Sequence, residues 1–293
     1  MNNKNLNDWD DFELFKSSDN SSGASLYESY KSLKAHFENL PKKELIDRGW
    51  ISSKNEISSL TDLFRDIHSD NASALFRKSD SANLSLSSIW LSKVKSYAEA
   101  KVATGAISEF TGLSKNGLKE LAQLSPNVNI LVELPKLLAQ KGIAVIYCRS
   151  LPGMKVDGAA FKLSSGNPVI GMSLRYPRLD YFWFTLMHEL AHVSLHLDIL
   201  DDPILDDLDT DSESDIEISA NRLAKQSFID RRVWRNCEPK YNKSIDAITK
   251  FSESIGIHRS IVAGMLRKES GNYASYSTIV NEYDVREIIL DGN

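Results

Sequence analysis

Cysteine is nearly absent from this chain: two residues, Cys148 and Cys237, in 293. Two thiols cannot build a disulfide framework, and they read as small buried side chains in a reducing compartment. Long apolar runs are missing too. No stretch reaches the ~18 apolar residues that would suggest a bilayer span, so no membrane segment is expected. The opening "MNNKNLNDWDDFELFKSSDNSSG" has no apolar core, which argues against a secretory signal. Positive charge is in deficit, with 35 Lys and Arg against 40 Asp and Glu and a net charge of −5. Gripping a phosphate backbone takes a basic face, so no direct DNA binding is expected. What remains is a cytoplasmic protein whose 42% hydrophobic content is ordinary for a globular core.

The chain divides by texture. Residues 1–25 are rich in Asn, Asp and Ser and read as a disordered tail. Residues 26–126 follow a helical pattern and read as an N-terminal helical domain. In "SLYESYKSLKAHFENL", Tyr27, Tyr30, Leu33 and Phe37 form one stripe before Pro41 interrupts it. The Ser-rich tract 66–88 reads as a loop, "IWLSKVKSYAEAKVA" as a helix and "LSKNGLKELAQL" as another. From residue 127 to 293 the expectation is an α+β domain. "NILVELPKLLAQKG" is a helix closed by Gly142, and "IAVIYC" is a strand. "GAAFKL" and "PVIGMSL" flank "SSGN" as a hairpin. This predicts a small three-stranded sheet packed on helices.

The chemistry lies in "TLMHELAHVSLH", residues 185–196. The flanking residues are apolar on nearly every side, so the helix is expected to be buried. Residues four apart share a helix face about 6 Å apart, so His188 and His192 can turn nitrogens onto one ion. Glu189 projects beside such an ion, where it can take a proton from water activated there. This is the His-Glu-x-x-His pattern of zinc peptidases. With 6 histidines in the chain, a chance match is expected only roughly 0.007 times. The competing reading, a buried helix with hydrogen-bonded histidines, must then satisfy two imidazoles and a carboxylate in an apolar setting. His196 cannot be a further ligand of the same ion, because it lies about 12 Å of helix rise from His188. It reads as a helix-end residue favoured by the dipole.

A third ligand must come from elsewhere, and "SDIEISANRLAKQSFI" supplies Glu217 at the start of a second helix. Asn221 follows one turn later, placed to brace a ligand histidine. Ten acids fall between residues 198 and 217. They read as a solvated loop or, alternatively, an electrostatic gate. One Zn²⁺ per chain is expected on His188, His192 and Glu217, with Glu189 as general base. Tyr176, Arg175 and His258 are candidates for oxyanion or substrate contacts. The strand "PVIGMSL" is a candidate edge for an extended substrate.

These stretches, with "LPKKELIDRGW", "EISANRLA" and "GIHRSIVAGMLRKES", resemble the ImmA/IrrE family of zinc peptidases. They look closest to the peptidase half of HigA-like regulators, which fuse a helix-turn-helix to such a domain. The resemblance implies a zincin-like fold and action on a specific regulatory protein (a repressor, antitoxin or toxin) encoded nearby. Ser219 stands where the family has a second glutamate, and Leu223 where it has an aromatic. "FTGLSKNGLKELAQL" has helix-turn-helix spacing but lacks the basic character of one. The alternative function is an antitoxin-like or sensor binding module with a metal site and little or no turnover. An intact Glu189 argues against it, since pure binding needs no base.

Overall fold

The computed structural model describes residues 40–56, 58–59, 62–63, 82–206 and 214–291. The expected tail at 1–25 and the stripe at Tyr27, Tyr30, Leu33 and Phe37 lie outside the described residues. Contacts divide the chain after Leu40, and the fold below is that of the unit Pro41–Asn293. Its helices are α1 (Lys42–Asp47), α2 (Ala82–Ala103), α3 (Lys115–Ala122), α4 (Ile130–Ala139) and α5 (Leu179–Leu195). They continue with α6 (Asp215–Phe228), α7 (Arg231–Arg235), α8 (Ile245–Ile255), α9 (Arg259–Ser270), α10 (Ser277–Val280) and α11 (Val285–Asp291). The strands are β1 (Ala144–Tyr147), β2 (Gly158–Lys162), β3 (Pro168–Met172) and β4 (Ile204–Asp206). This is the expected α+β class.

The sheet order is β1-β3-β2-β4, with β1 parallel to β3 and the other pairs antiparallel. The β2–β3 hairpin forms where "SSGN" predicts it, closed by Leu163 N–H to Asn167 O at 3.0 Å and by Gly166 at φ +87°. The three-stranded expectation is corrected by β4, which pairs Ile204–Asp206 with Ala160–Gly158. Three residues inside an acid-rich tract carry no periodicity of their own, so only the edge of β2 reveals them as a strand. A second correction concerns "PVIGMSL". β3 is flanked on both sides, by β1 and β2, so it has no free edge for a substrate.

Helices cover both faces of the sheet, which is why its strands are apolar runs rather than alternating ones. One face packs on α2. Leu86, Ile89, Trp90 and Val94 recur at helical spacing and are buried. Trp90 Nε1–H reaches Cys148 O at 2.6 Å, and a Cβ on Gly171 would stand 2.8 Å from the Trp90 ring. Only glycine allows α2 this close. The helix begins at Ala82, inside the tract expected to be a loop, because Ser87, Ser88 and Ser92 are buried beside the apolar stripe rather than exposed to solvent.

The other face packs on α5, which is buried on nearly every side. Trp183, Leu186, Met187 and Leu190 join Val145, Ala160 and Ile170 of the sheet in one core. Each fully buried apolar side chain of this size contributes about 1.5–3 kcal/mol. Helix α6 lies along α5, burying Ala220, Leu223, Ala224, Ser227 and Phe228 on one stripe. α3 packs against both. Helices on either side of residue 126 thus share one core.

Candidate metal centre

Two packed helices and one strand assemble the site. α5 is rigid by burial and holds His188 and His192 one turn apart, 1% and 0% exposed. α6 starts at the Ser214 cap, whose hydroxyl accepts from Glu217 N–H at 3.3 Å. That start places Glu217 in the first turn, where the helix dipole favours a carboxylate. The α5–α6 packing turns it toward the histidines rather than to solvent. His188 Nε2 stands 3.1 Å from Glu217 Oε2, His192 Nε2 stands 3.5 Å from Glu217 Oε1, and the two Nε2 atoms are 2.9 Å apart. One donor atom from each of the three lies within 4.8 Å of the others.

Burial pushes the Glu217 carboxyl up, but its contacts with the two imidazoles outweigh this and hold it down at about 2. The group is a carboxylate across the physiological range, as a ligand must be. Two buried imidazoles and a carboxylate converging within one ion's reach make an N₂O donor set of the kind that holds zinc in catalytic sites. The residues present therefore fit zinc.

Glu189 follows His188 on α5 and is fully buried, and the reason it fits is Gly158 at the start of β2. A Cβ there would fall well inside van der Waals distance of Glu189 Oε1 and 2.8 Å from Thr185 Cγ2. The absent side chain is the space in which the carboxylate lies. Thr185, one turn before Glu189, lines a cleft with Asp157, Arg175, Tyr176 and Tyr181. Arg175 donates to Lys155 O at 2.9 Å, faces Asp157 at 3.5 Å and lies over the Tyr176 ring. Tyr176 packs on Tyr181 with ring centroids 4.5 Å apart. These two candidates thus share a cleft beside the strand that carries Gly158.

Other expected residues fall elsewhere. His258 is the N-cap of α9, where Nδ1 accepts from Ser260 N–H at 3.2 Å, and its backbone N–H donates to Ser125. Among the described residues, its hydrogen bonds and ring contact go to Ser125, Ser260 and Tyr283 rather than to the three donors. Asn221 is half-buried and makes no hydrogen bond to either ligand histidine among the described residues. That bracing position belongs to His196, whose Nδ1 is 3.1 Å from His192 Nδ1. His196 Nε2 in turn meets Ser219 Oγ at 3.0 Å. Burial, and next the neighbouring His192, hold the His196 imidazole below the usual histidine value. Sequence reasoning excluded His196 as a ligand and read it only as a helix-end residue favoured by the dipole. The second four-residue step, from His192 to His196, was the available signal.

Residues 139–265 match the family model of peptidase M78, described as the IrrE N-terminal-like domain. The span runs from the end of α4 into α9 and includes the sheet, His188, Glu189, His192 and Glu217. It supports the ImmA/IrrE resemblance over the part of the chain that forms the site. No curated protein matches the chain. Among the described residues, no helix is long and apolar enough to cross a membrane.

Proposed function

We propose that this protein is a cytoplasmic, zinc-dependent endopeptidase that cleaves one specific regulatory protein, a repressor, antitoxin or toxin. The observation that carries the reading is the convergence of His188, His192 and Glu217, with Glu189 next to His188 on the same buried helix and its carboxylate in the space left by Gly158. The match to a peptidase family over these residues supports it. His188 and His192 would hold the ion through Nε2, and Glu217 through its carboxylate. Bound zinc supplies Lewis acidity, polarising water and the scissile carbonyl. Glu189 takes the proton of the attacking water and delivers it to the leaving amine. The burial of Glu189 excludes competing solvent and fixes its direction. Tyr176 and Arg175, which line a small pocket with Thr185, are our candidates for contact with the substrate backbone. The net charge of −5 supports a protein partner rather than DNA.

Glu189→Gln tests this reading. The substitution keeps the shape and the three ligands but removes the base, so cleavage of the partner falls by about 10²–10⁴-fold. Zinc content and partner binding remain as in wild type. The readout is a blot for fragments after co-expression with proteins encoded beside the gene. A variant that acts on its partner and in the cell just as wild type does, with no fragments from either, makes the protein a binding module instead.

A further inference from the structure

The hydrogen bonds beyond the ligands have a direction, and that direction is set by one serine. Ser219 Oγ lies 2.9 Å from Ile216 O and 3.0 Å from His196 Nε2. A carbonyl oxygen can only accept, so the single hydroxyl proton of Ser219 goes to Ile216 O. Toward His196, Ser219 is therefore an acceptor, and His196 Nε2 carries the proton. In a neutral imidazole the other nitrogen is then a lone pair. His196 Nδ1 thus accepts at 3.1 Å, and the proton in that contact belongs to His192 Nδ1. His192 Nε2 is left unprotonated, facing Glu217 and His188.

We infer that Ser219 and His196 are positioning residues that hold His192 in its Nδ1–H tautomer, with the Nε2 lone pair aimed at the metal position. Neither touches substrate or ion. They act through His192 by removing the tautomer that cannot ligate through Nε2 and by fixing the ring plane. Their placement follows from the α5–α6 packing. His196 ends α5 one turn past His192, and Ser219 is on α6 two residues past Glu217. The docking that delivers the third ligand therefore also orients the second. This inference rests on the metal-site reading above.

The first measurement is on metal-free protein by long-range ¹H–¹⁵N correlation of the histidine rings, at mildly alkaline pH where imidazoles are neutral. His196 is expected as the Nε2–H form and His192 as the Nδ1–H form. The second is zinc affinity by chelator competition. Ser219→Ala removes the acceptor and is expected to weaken zinc by about 10–100-fold. Ser219→Thr keeps the hydroxyl and is expected to restore both affinity and tautomers. A proton on His196 Nδ1 in wild type overturns the inference. So does Ser219→Ala binding zinc as tightly as wild type. Wild type that binds no zinc at all is a different result, since it removes the metal site itself.

Discussion

At the scale of single residues, the site depends on an atom that is not there. Gly158 has no Cβ, and Glu189 uses that space. Gly158→Ala therefore forces the carboxylate to move while leaving all three ligands intact. Partner cleavage is expected to fall toward the level of Glu189→Gln, a loss on the order of 10²-fold or more. Zinc content, read by metal analysis, should stay near one per chain. An alanine variant with full activity would mean that Glu189 acts from another position. Glu217 carries a pH signature of its own in the metal-stripped protein. Its folded value of about 2 lies below its ordinary 4.5. A depressed carboxylate contributes stability that is fully present above the unfolded value and is lost as pH falls through the folded one. Acid denaturation of stripped wild type should thus show a stability loss between about pH 4.5 and 2 that Glu217→Gln lacks. Parallel curves for the two proteins would remove the interaction.

At the scale of elements, α6 matters most, because it carries both Glu217 and Ser219. Its hold on α5 runs through a narrow stripe in which Leu223 is 7% exposed. Leu223→Ala should cost about 2–5 kcal/mol in denaturant unfolding. Zinc affinity should fall with it, since the third ligand is positioned by that contact. Unchanged stability would show that α6 is not seated by this stripe. What was legible in the sequence follows the same logic. α3, α4, α5 and the β2–β3 hairpin announce themselves through apolar spacing and turn residues. His188 and His192 are visible because helix geometry puts residues four apart on one face, and Glu217 because a second helix begins with a carboxylate after the intervening acidic loop. The beginning of α2 is hidden, because serines that pack in a core look the same in sequence as serines in a loop. β4 is hidden because its only reason to be a strand is the edge of β2. The part played by His196 is hidden because it depends on a serine 23 residues away.

At the scale of the whole molecule, the metal is expected to contribute stability as a ligand that binds only the folded state. Zinc at 100 times its dissociation constant should add about 2.7 kcal/mol, seen as a rise in melting temperature that a chelator reverses. In His188→Ala the rise should be absent, and a variant that keeps it would bind zinc elsewhere. The segment between His192 and Glu217 gives this linkage a kinetic side. It holds 24 residues, is paired to the sheet through β4, and closes only when α6 docks on α5. Before that closure, a nascent chain can offer the ion only two imidazoles one turn apart on α5. The complete ligand set exists only once the long-range contacts between α5 and α6 have formed. Zinc would then act less as a nucleus for folding than as a brake on unfolding, lengthening the life of the folded protein without hastening its birth.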